Sequence, residues 1–115
     1  MGALDVVGVS MVEIRRTHGW KNIGVAFLQD GRYLAASADH YFSGNYEVAG
    51  GTFAADFQVT RYGKARAIYG SKKKHTEHRI DAKIMQLGKI VGTICPAGSK
   101  KIGTKIRLTR SGDID

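Results

Sequence analysis

The sequence is poor in cysteine, in proline and in long apolar runs. Among 115 residues there is one cysteine, Cys95, and one proline, Pro96. A single cysteine cannot form a disulfide within the chain, so cysteine usage gives no sign of an oxidising compartment. The apolar run Val6–Val12 has no basic region before it, and it is too short and too interrupted by Gly and Ser to span a membrane. We therefore expect a cytoplasmic protein with no membrane span.

Long helices are also lacking. The 15 glycines lie between short apolar runs, and each glycine inside a helix would cost roughly 1 kcal/mol. Tight turns between packed strands suit this distribution better. With 43% hydrophobic and 24% charged residues, the composition is that of an ordinary globular protein. A chain of this length forms one core, so we expect a single domain over residues 1–115 with a frayed tail at about 111–115.

Positive charge is scarce in the first half of the chain and abundant in the second. Residues 1–60 hold four Lys and Arg against six Asp and Glu, a net charge of −2. Residues 61–115 hold fourteen Lys and Arg against four Asp and Glu, a net charge of +10. Such an asymmetry favours an anionic partner for the second half, for example nucleic acid, lipid headgroups or an acidic protein surface. A solvated cationic surface without a ligand is the alternative.

The chain does contain a regular succession of short strands and turns. Asp30-Gly31 and Gly50-Gly51 are turn dipeptides between strand-forming runs, which indicates β-hairpins. Within Thr52–Arg61, apolar residues occupy every second position, as in an antiparallel strand with one buried face. The first predicted strand is apolar on both alternations as far as Val12, so we expect it to be partly buried on both sides. An N-terminal helix is the alternative, which Gly8 disfavours. The predicted strands are Leu4–Arg15, Ile23–Leu28, Tyr33–Ala38, Tyr41–Val48, Thr52–Arg61, Thr76–Leu87, Lys89–Cys95 and Lys101–Arg110.

Eight short strands with turn signals about every 8–12 residues favour a sandwich or a closed barrel. An eight-stranded barrel has an interior that holds side chains or one small ligand. The segment Thr17–Asn22 is polar and turn-like. The segment Tyr62–His75 is longer than an ordinary hairpin loop, as functional or mobile loops often are, and Ala65–Tyr69 within it could form one helical turn. The side chains expected to face the barrel interior are Phe42, Tyr46, Phe53, Phe57, Ile106 and Leu108.

Residues of the types used in catalysis or metal binding are not grouped. His75 and His78 would point to opposite sides of a strand, and no further Cys or His pair completes a four-ligand zinc site. Cys95 has no nucleophile signature around it and fits a half-buried structural thiol. The acidic residues are scattered and signal no carboxylate pair; they are Asp39, Glu47, Asp56, Glu77 and Asp81. We expect no enzymatic activity, no metal and no cofactor.

Lysines cluster in two segments, Gly70–Lys74 and Gly98–Lys101. Neither segment has the spacing of a phosphate-binding P-loop. On two loops at one end of a barrel, the lysines would form a cationic rim for phosphate or carboxylate groups, unless they are simply solvated. The lysines of this rim are Lys72, Lys73, Lys74, Lys100 and Lys101.

Nucleic-acid binding would combine such basic residues with exposed aromatic side chains on which bases stack. The aromatic residues near the basic segments or in predicted loops are Trp20, Tyr62 and Tyr69. The basic charge therefore favours nucleic-acid binding, whereas the small number of suitably placed aromatic residues does not.

Several short motifs resemble the GrlR family of small bacterial proteins, which is named after a negative regulator of type III secretion and includes many lipocalin-like members. The family pattern has a DG-[RK] turn, an acidic residue ahead of a Y-x-G-x-Y run, and an alternating strand that ends in R-[YH]. The corresponding residues here are Asp30-Gly31-Arg32, Asp39, Tyr41-Phe42-Ser43-Gly44-Asn45-Tyr46 and Arg61-Tyr62. Later family positions are resembled by Ile68-Tyr69-Gly70, by Pro96-Ala97-Gly98 and by the strand end Arg107-Leu108-Thr109-Arg110. The resemblance covers about residues 23–110.

The resemblance implies an all-β fold, a single antiparallel eight-stranded lipocalin-like barrel of the calycin type, built as an up-and-down meander with one long loop. It also implies a homodimer and an interior that accepts a lipid or another small apolar ligand. The regulator that gives the family its name binds a transcriptional activator through an acidic motif in a turn that corresponds to Val48–Gly51. This chain has no acidic residue at those four positions. Nothing in the family implies catalysis.

We therefore expect a non-enzymatic regulatory protein of GrlR-like type. It would act by protein–protein interaction, with a transcriptional regulator as the kind of partner and a lipid or small apolar ligand in the barrel. The alternative is a nucleic-acid-binding β-barrel that uses the basic second half.

Overall fold

The computed structural model describes residues 7–37, 40–61, 75–86, 88–97 and 103–112, and every regular element in these ranges is a β-strand. The strands form a closed barrel in chain order, and all neighbouring strands are antiparallel. The predicted all-β, eight-stranded, up-and-down barrel is confirmed, and it is consistent with a lipocalin-like architecture. The strands are β1 (Gly8–Arg16), β2 (Gly19–Gln29), β3 (Arg32–Ala36), β4 (His40–Ala49), β5 (Thr52–Arg61), β6 (His75–Gln86), β7 (Lys89–Pro96) and β8 (Thr104–Gly112).

The core follows from the period-2 alternation of each strand. Inward-facing residues are buried and outward-facing residues are mostly exposed, as in the β5 pattern that the sequence predicts with the same bounds. Because an eight-stranded barrel is narrow, inward side chains from all sides meet at its centre. The core residues are Val12, Ile14, Ala26, Leu28, Tyr33, Ala35, Phe42, Tyr46, Phe53, Ala55, Phe57, Val59, Ile80, Ile90, Ile94, Ile106 and Leu108.

The barrel closes where β1 pairs with β8, from Val9 with Gly112 to Ile14 with Ile106. Ser111 and Gly112, the first two residues of the expected tail, both lie in β8. They are ordered as strand because β1 would otherwise have an unpaired edge. The side chain of Arg110 adds to this seam, since its Nε donates a hydrogen bond to the Val7 carbonyl at 2.7 Å.

One prediction about the first hairpin is wrong. The segment Gly19–Asn22 belongs to β2 rather than to a turn, and Trp20 pairs with Arg15 across the hairpin. Polar residues continue into this strand because its end lies at the exposed rim of the barrel, where alternation is not imposed by a core. The prediction that β1 is partly buried on both sides is confirmed in part: the outward residues Val9 and Glu13 are half-buried, whereas Met11 is exposed.

Gly44 lies on the inward alternation of β4, between the core aromatics Phe42 and Tyr46. A Cβ atom at this position would overlap the Asp56 carbonyl and the Cα and Cβ atoms of Phe57 on the paired strand. The absence of a side chain lets β4 and β5 approach while the Phe57 ring occupies the space inside. The DG turn between β2 and β3 has positive φ at both residues, 53° at Asp30 and 77° at Gly31, as a tight two-residue hairpin requires.

Some predictions fall on residues outside the described ranges. These are the long loop Tyr62–His75 up to its last residue, the helical turn Ala65–Tyr69 and all five lysines of the cationic rim. In the part of the chain that the structure describes, no helix has the length and apolarity needed to cross a bilayer.

Candidate functional site

The interior of the barrel is filled by aromatic and aliphatic side chains. The six residues expected to face inward all lie in the core, each no more than 6% exposed. Tyr46 and Phe53 stack with their ring centroids 5.4 Å apart. Phe57 contacts two further rings, Tyr33 at 4.9 Å and Phe42 at 6.0 Å. These aromatic pairs occupy the centre of the barrel, where a lipocalin-like protein would hold a ligand.

The space left beside these rings is small. A cavity of about 10 Å³ is lined by residues from β1, β2, β3, β4, β7 and β8, including Val12, Tyr33, Phe42 and Ile106. Such a volume holds about one water molecule. Among the described residues, the side chains at this cavity leave no room for a lipid chain.

His78 is a buried histidine on the inward side of β6. It is 1% exposed, and its ring stacks on Phe57 with centroids 6.3 Å apart. Its Nδ1 lies 3.3 Å from the Thr76 hydroxyl. Burial lowers the pKa of His78, against the smaller opposing effect of a hydrogen bond from its ring to the backbone carbonyl of Thr76. The ring is therefore neutral at pH 7, which suits a histidine packed in an apolar core.

The described residues do not bring a metal site together. No group of three His, Cys, Asp or Glu within the described ranges could hold a metal ion. The side chain of His75, the other half of the predicted pair, lies outside the described part of the chain. Cys95 is half-buried in β7, in the ladder position opposite Arg79.

Two of the scattered carboxylates are joined by one arginine on the outer surface of β5 and β6. Arg79 lies 2.7 Å from Asp56 and 3.0 Å from Asp81, and all three side chains are exposed. The hydrogen bonds from Arg79 to Asp56 and Asp81 raise the pKa of Arg79, and the bond to Asp56 has the larger effect. One guanidinium between two carboxylates offsets one of their two negative charges, and the cluster has the character of a surface ion-pair network. Of the remaining acidic residues, Asp39 lies outside the described ranges.

A second charged cluster joins β8 to the first hairpin. Nε and Nη2 of Arg107 both lie 3.0 Å from Oε1 of Glu13, and the guanidinium carbon lies 4.3 Å from the centre of the Trp20 ring. The exposed cations Arg15 and Lys105 belong to the same three strands. The described part of the chain therefore has cations beside an aromatic ring at this place, although the five lysines of the predicted rim lie elsewhere in the sequence.

Among the described residues, an apolar area lies on the outside of β1–β4. Six outward-facing apolar side chains meet there, and we call them the apolar face: Met11, Val25, Phe27, Leu34, Ala36 and Tyr41. Five of these are large side chains with 39% to 47% of their surface exposed. Opposed residues of an antiparallel pair lie on one face of the sheet, and the strand register makes these side chains direct neighbours.

The apolar face consists of two adjacent rows across the strands. In one row, Met11 is opposite Val25, Val25 is opposite Ala36, and Ala36 is opposite Tyr41. In the other row, Phe27 is opposite Leu34. Polar residues border both rows.

The row next along the strands joins Gln29 to Arg32 and Arg32 to Asn45. On the other side, Glu13 is opposite Asn22. An open groove of about 390 Å³ at the border, lined by Phe27, Leu34, Gln29, Asp30 and Arg32, connects the apolar side chains to charges of both signs.

This face was not predicted from the sequence. The signal was present in β1 and β2, which are apolar on both alternations: Val12 and Leu28 face the core, while Met11 and Phe27 face outward. Apolar residues on both sides of an antiparallel strand indicate a second covered face. The sequence does not say which strands are neighbours, so the two outward sets could not be joined into one surface.

Comparison with models of known protein families finds no match, and comparison with curated protein sequences also finds none. The GrlR-like assignment therefore stays a prediction from the motifs.

Proposed function

We propose that the protein is a non-enzymatic regulatory interaction protein of GrlR-like type, which binds other proteins through the outside of its barrel. The observation that carries this proposal is the apolar face. The largest contiguous apolar patch on a typical soluble monomer covers about 300 to 600 Å², and such a patch is often a functional surface. A homodimeric state and a cytoplasmic location belong to the same proposal.

Burying the apolar face would contribute enough free energy to influence association with a partner. The exposed parts of its side chains amount to an area on the order of 300 to 400 Å². Burying this area would contribute about 8 to 10 kcal/mol before the cost of association, which is itself about 4 to 15 kcal/mol. The opposing surface must therefore also be apolar for a stable contact, which favours a protein over a polar or anionic ligand.

The filled interior supports a role for the outer surface. A ligand such as a fatty acid needs a pocket of hundreds of Å³, against the cavity of about 10 Å³ beside Tyr33 and Phe42. The proposed function therefore uses the outer surface of the barrel and not a lipid in its interior.

Nucleic-acid binding is the second candidate function. It is favoured by the cluster in which Arg107 lies over Trp20 with the cations Arg15 and Lys105 on the same strands. Single-stranded nucleic acid binds where cations follow the backbone and aromatic rings stack on bases. One face of Trp20 is already covered by Arg107, which makes this candidate weaker than the first.

Site-specific photo-crosslinking tests the proposed function. A photoreactive amino acid replaces Phe27 in the full chain, which is expressed in its own cells. We expect covalent adducts with protein, because Phe27 lies near the centre of the apolar face. The matched control is the same amino acid at Lys83, which is exposed on β6.

Other outcomes would count against the proposal. Equal adducts from both positions, or none from position 27, contradict a protein-binding role for the face. A native mass spectrum with added ligand mass would favour a carrier of small molecules. Salt-sensitive binding of random single-stranded DNA that persists in a Phe27→Glu variant would favour the second candidate.

A further inference from the structure

We infer that the open edge of β2, over Gly19–Gly24, binds an extended acidic segment of a partner protein by strand addition. The segment would lie beside β2 in the sheet, in the place that a longer β3 would occupy. The inference rests on the proposed function, because it names the kind of protein segment that binds and a second place at which it makes contact.

β2 continues past the end of β3. The ladder between these two strands stops where Val25 lies opposite Ala36. The β3–β4 hairpin closes just beyond this point, since the N–H of Ser37 donates a hydrogen bond to the His40 carbonyl at 2.9 Å. Among the described residues, the stretch Gly19–Gly24 is therefore joined to β1 on one side and has no strand beside it on the other.

One backbone group in this stretch is satisfied by a side chain instead of a neighbouring strand. The N–H of Gly24 donates a hydrogen bond to Oδ1 of Asn22 at 2.9 Å, two residues back along the same strand. Backbone groups of a strand normally find such a partner in the adjacent strand of the sheet. A strand of this length offers about six backbone groups on one side, so an extended peptide can form a short ladder with it.

The charges around the edge favour an acidic segment. Lys21 is exposed on the edge strand, and Arg15 and Arg16 are exposed on β1 beside it. Within the described ranges none of these three cations forms an ion pair, and the carboxylate of Glu13 is already paired with Arg107. An acidic strand would therefore meet cations whose charge is not offset. The same cations would repel a second copy of the chain, as charged residues on edge strands commonly do.

The added strand would also meet apolar surface at the barrel end of the edge. Ile23 is half-buried and packs against the core. The cavity of about 10 Å³ is lined by Ile23, Gly24 and Ala36, among other residues, so it lies where β3 ends. A segment that runs antiparallel to β2 would fit both features if apolar residues come first, beside Ile23, and acidic residues follow towards the hairpin end.

NMR titration of the isotope-labelled full chain tests the inference. The probe is the peptide Val-Thr-Val-Thr-Val-Glu-Glu-Glu, acetylated and amidated at its ends. We expect a dissociation constant on the order of 100 µM, because the contact is smaller than a standard interface. The largest shift changes should fall on the amides of Gly19–Gly24, and their exchange with solvent should slow about threefold or more in the bound state.

N-methylated peptides test whether the backbone makes the contact. One form carries methyl groups on the amides of the three Val, and the other carries them on the amides of the two Thr. Alternate residues of a strand direct their N–H groups to opposite sides, so one form loses the donors that face β2 and the other does not. One form should therefore bind about tenfold more weakly than the other.

Charge at the edge should also set the affinity. Lys21→Glu should weaken binding about fivefold or more, whereas the matched control Lys83→Glu, on β6, should stay within about twofold of the wild type. A peptide with Lys in place of each Glu should not bind at about 1 mM. Because Lys21 is exposed, Lys21→Glu should keep the fold, which circular dichroism and thermal melting check.

Several results would overturn the inference. These are shift changes confined to other strands, equal affinity of both N-methylated forms, no binding of the parent peptide at about 1 mM, and amides of Gly19–Gly24 that are as protected as those of β5 in the free chain. Random single-stranded DNA that shifts the same amides at lower concentration than the peptide would assign the edge to nucleic acid instead.

The inference and the proposed function fail in different ways. If the peptide does not bind but the crosslinker at position 27 captures a protein, strand addition is wrong and the protein-binding role of the apolar face stands. If the peptide binds at the edge of β2 and the crosslinker at position 27 captures nothing, the edge binds alone and the role of the apolar face is wrong.

Discussion

The contact between Gly44 and Phe57 shows how single residues set the space inside this barrel. Phe57 contacts Tyr33 and Phe42 and stacks on His78, and it lies directly opposite Gly44 in the ladder. The ring takes up the volume that a side chain on β4 would otherwise fill. The packing of the barrel interior therefore depends on a position without a side chain.

Gly44→Ala should lower the free energy of unfolding by about 2 to 3 kcal/mol, because the new Cβ meets the backbone of Asp56 and Phe57 and the core must shift. Urea unfolding at constant pH measures this. Gly112→Ala is the matched control, since a Cβ at Gly112 has no atom within 4 Å among the described residues. Equal stability of the two variants would show that β4 and β5 separate without cost.

His78 should make the stability of the protein depend on pH. In the unfolded chain its pKa is near the ordinary value of 6.5, whereas burial lowers the pKa in the folded state. Below pH 6.5 the unfolded state therefore binds more protons, so the free energy of unfolding falls as the pH falls. Above pH 6.5 the contribution of neutral His78 to folding stability is fully present.

Replacing the ring should flatten this dependence. In His78→Gln the loss of stability between pH 7.5 and 5.5 should be smaller than in the wild type, as measured by urea midpoints at each pH. His18→Gln serves as control, because His18 is exposed in the turn between β1 and β2. An unchanged slope in His78→Gln would mean that other groups cause the acid sensitivity.

Single residues also show what the sequence can and cannot predict. The alternation in β4, β5 and β8 placed Phe42, Phe57 and Leu108 in the interior, because one buried face fixes the direction of every second side chain. The exposed positions of Met11 and Phe27 were not predicted. Both faces of their strands are apolar, so the pattern does not say which face is turned to the core.

At the level of strands, the seam between β8 and the first hairpin depends on one arginine. Arg107 on β8 contacts Glu13 on β1 and Trp20 on β2, and Glu13 and Arg107 are both mostly buried. Three strands are thereby connected through side chains as well as through the backbone ladder.

Arg107→Lys should lower the free energy of unfolding by about 1 to 2 kcal/mol, because an ammonium group cannot contact the carboxylate and cover the Trp20 ring together. Urea unfolding gives the free energy, and a shift of the Trp20 fluorescence reports the uncovered ring. Arg79→Lys is the matched control, since its exposed ion pairs should contribute about 1 kcal/mol or less. A larger effect at Arg79 than at Arg107 would contradict this account.

Strand boundaries were predictable where a turn and a core acted together. β5 begins after the Gly50-Gly51 turn, and its period-2 pattern continues to Arg61, so the predicted bounds match the structure. β2 begins four residues earlier than predicted, at Gly19, because Trp20–Asn22 is held by pairing with β1 rather than by apolar alternation. Such pairing depends on residues distant in the sequence, and local propensity does not report it.

At the level of the whole molecule, the barrel was predictable from the number of strands and their turns, and the resemblance favoured it over a sandwich. The interaction surface was not predictable to the same degree. The apolar face takes residues from four strands between Met11 and Tyr41, and it exists only once the register of β1–β4 is set. The predicted lysine rim lies outside the described residues, so it stays a prediction.

The pairing of Val9 with Gly112 has a consequence for how the chain folds during synthesis. A ribosome makes β1 before β8, so the barrel cannot close until β8 has emerged. Until then β1 and β7 both present bare edges that can recruit strands from other chains. Contacts between such distant segments also slow folding. The growing chain therefore has no shorter length at which its hydrogen bonds are complete, and truncation before β8 should yield aggregates rather than a smaller folded protein.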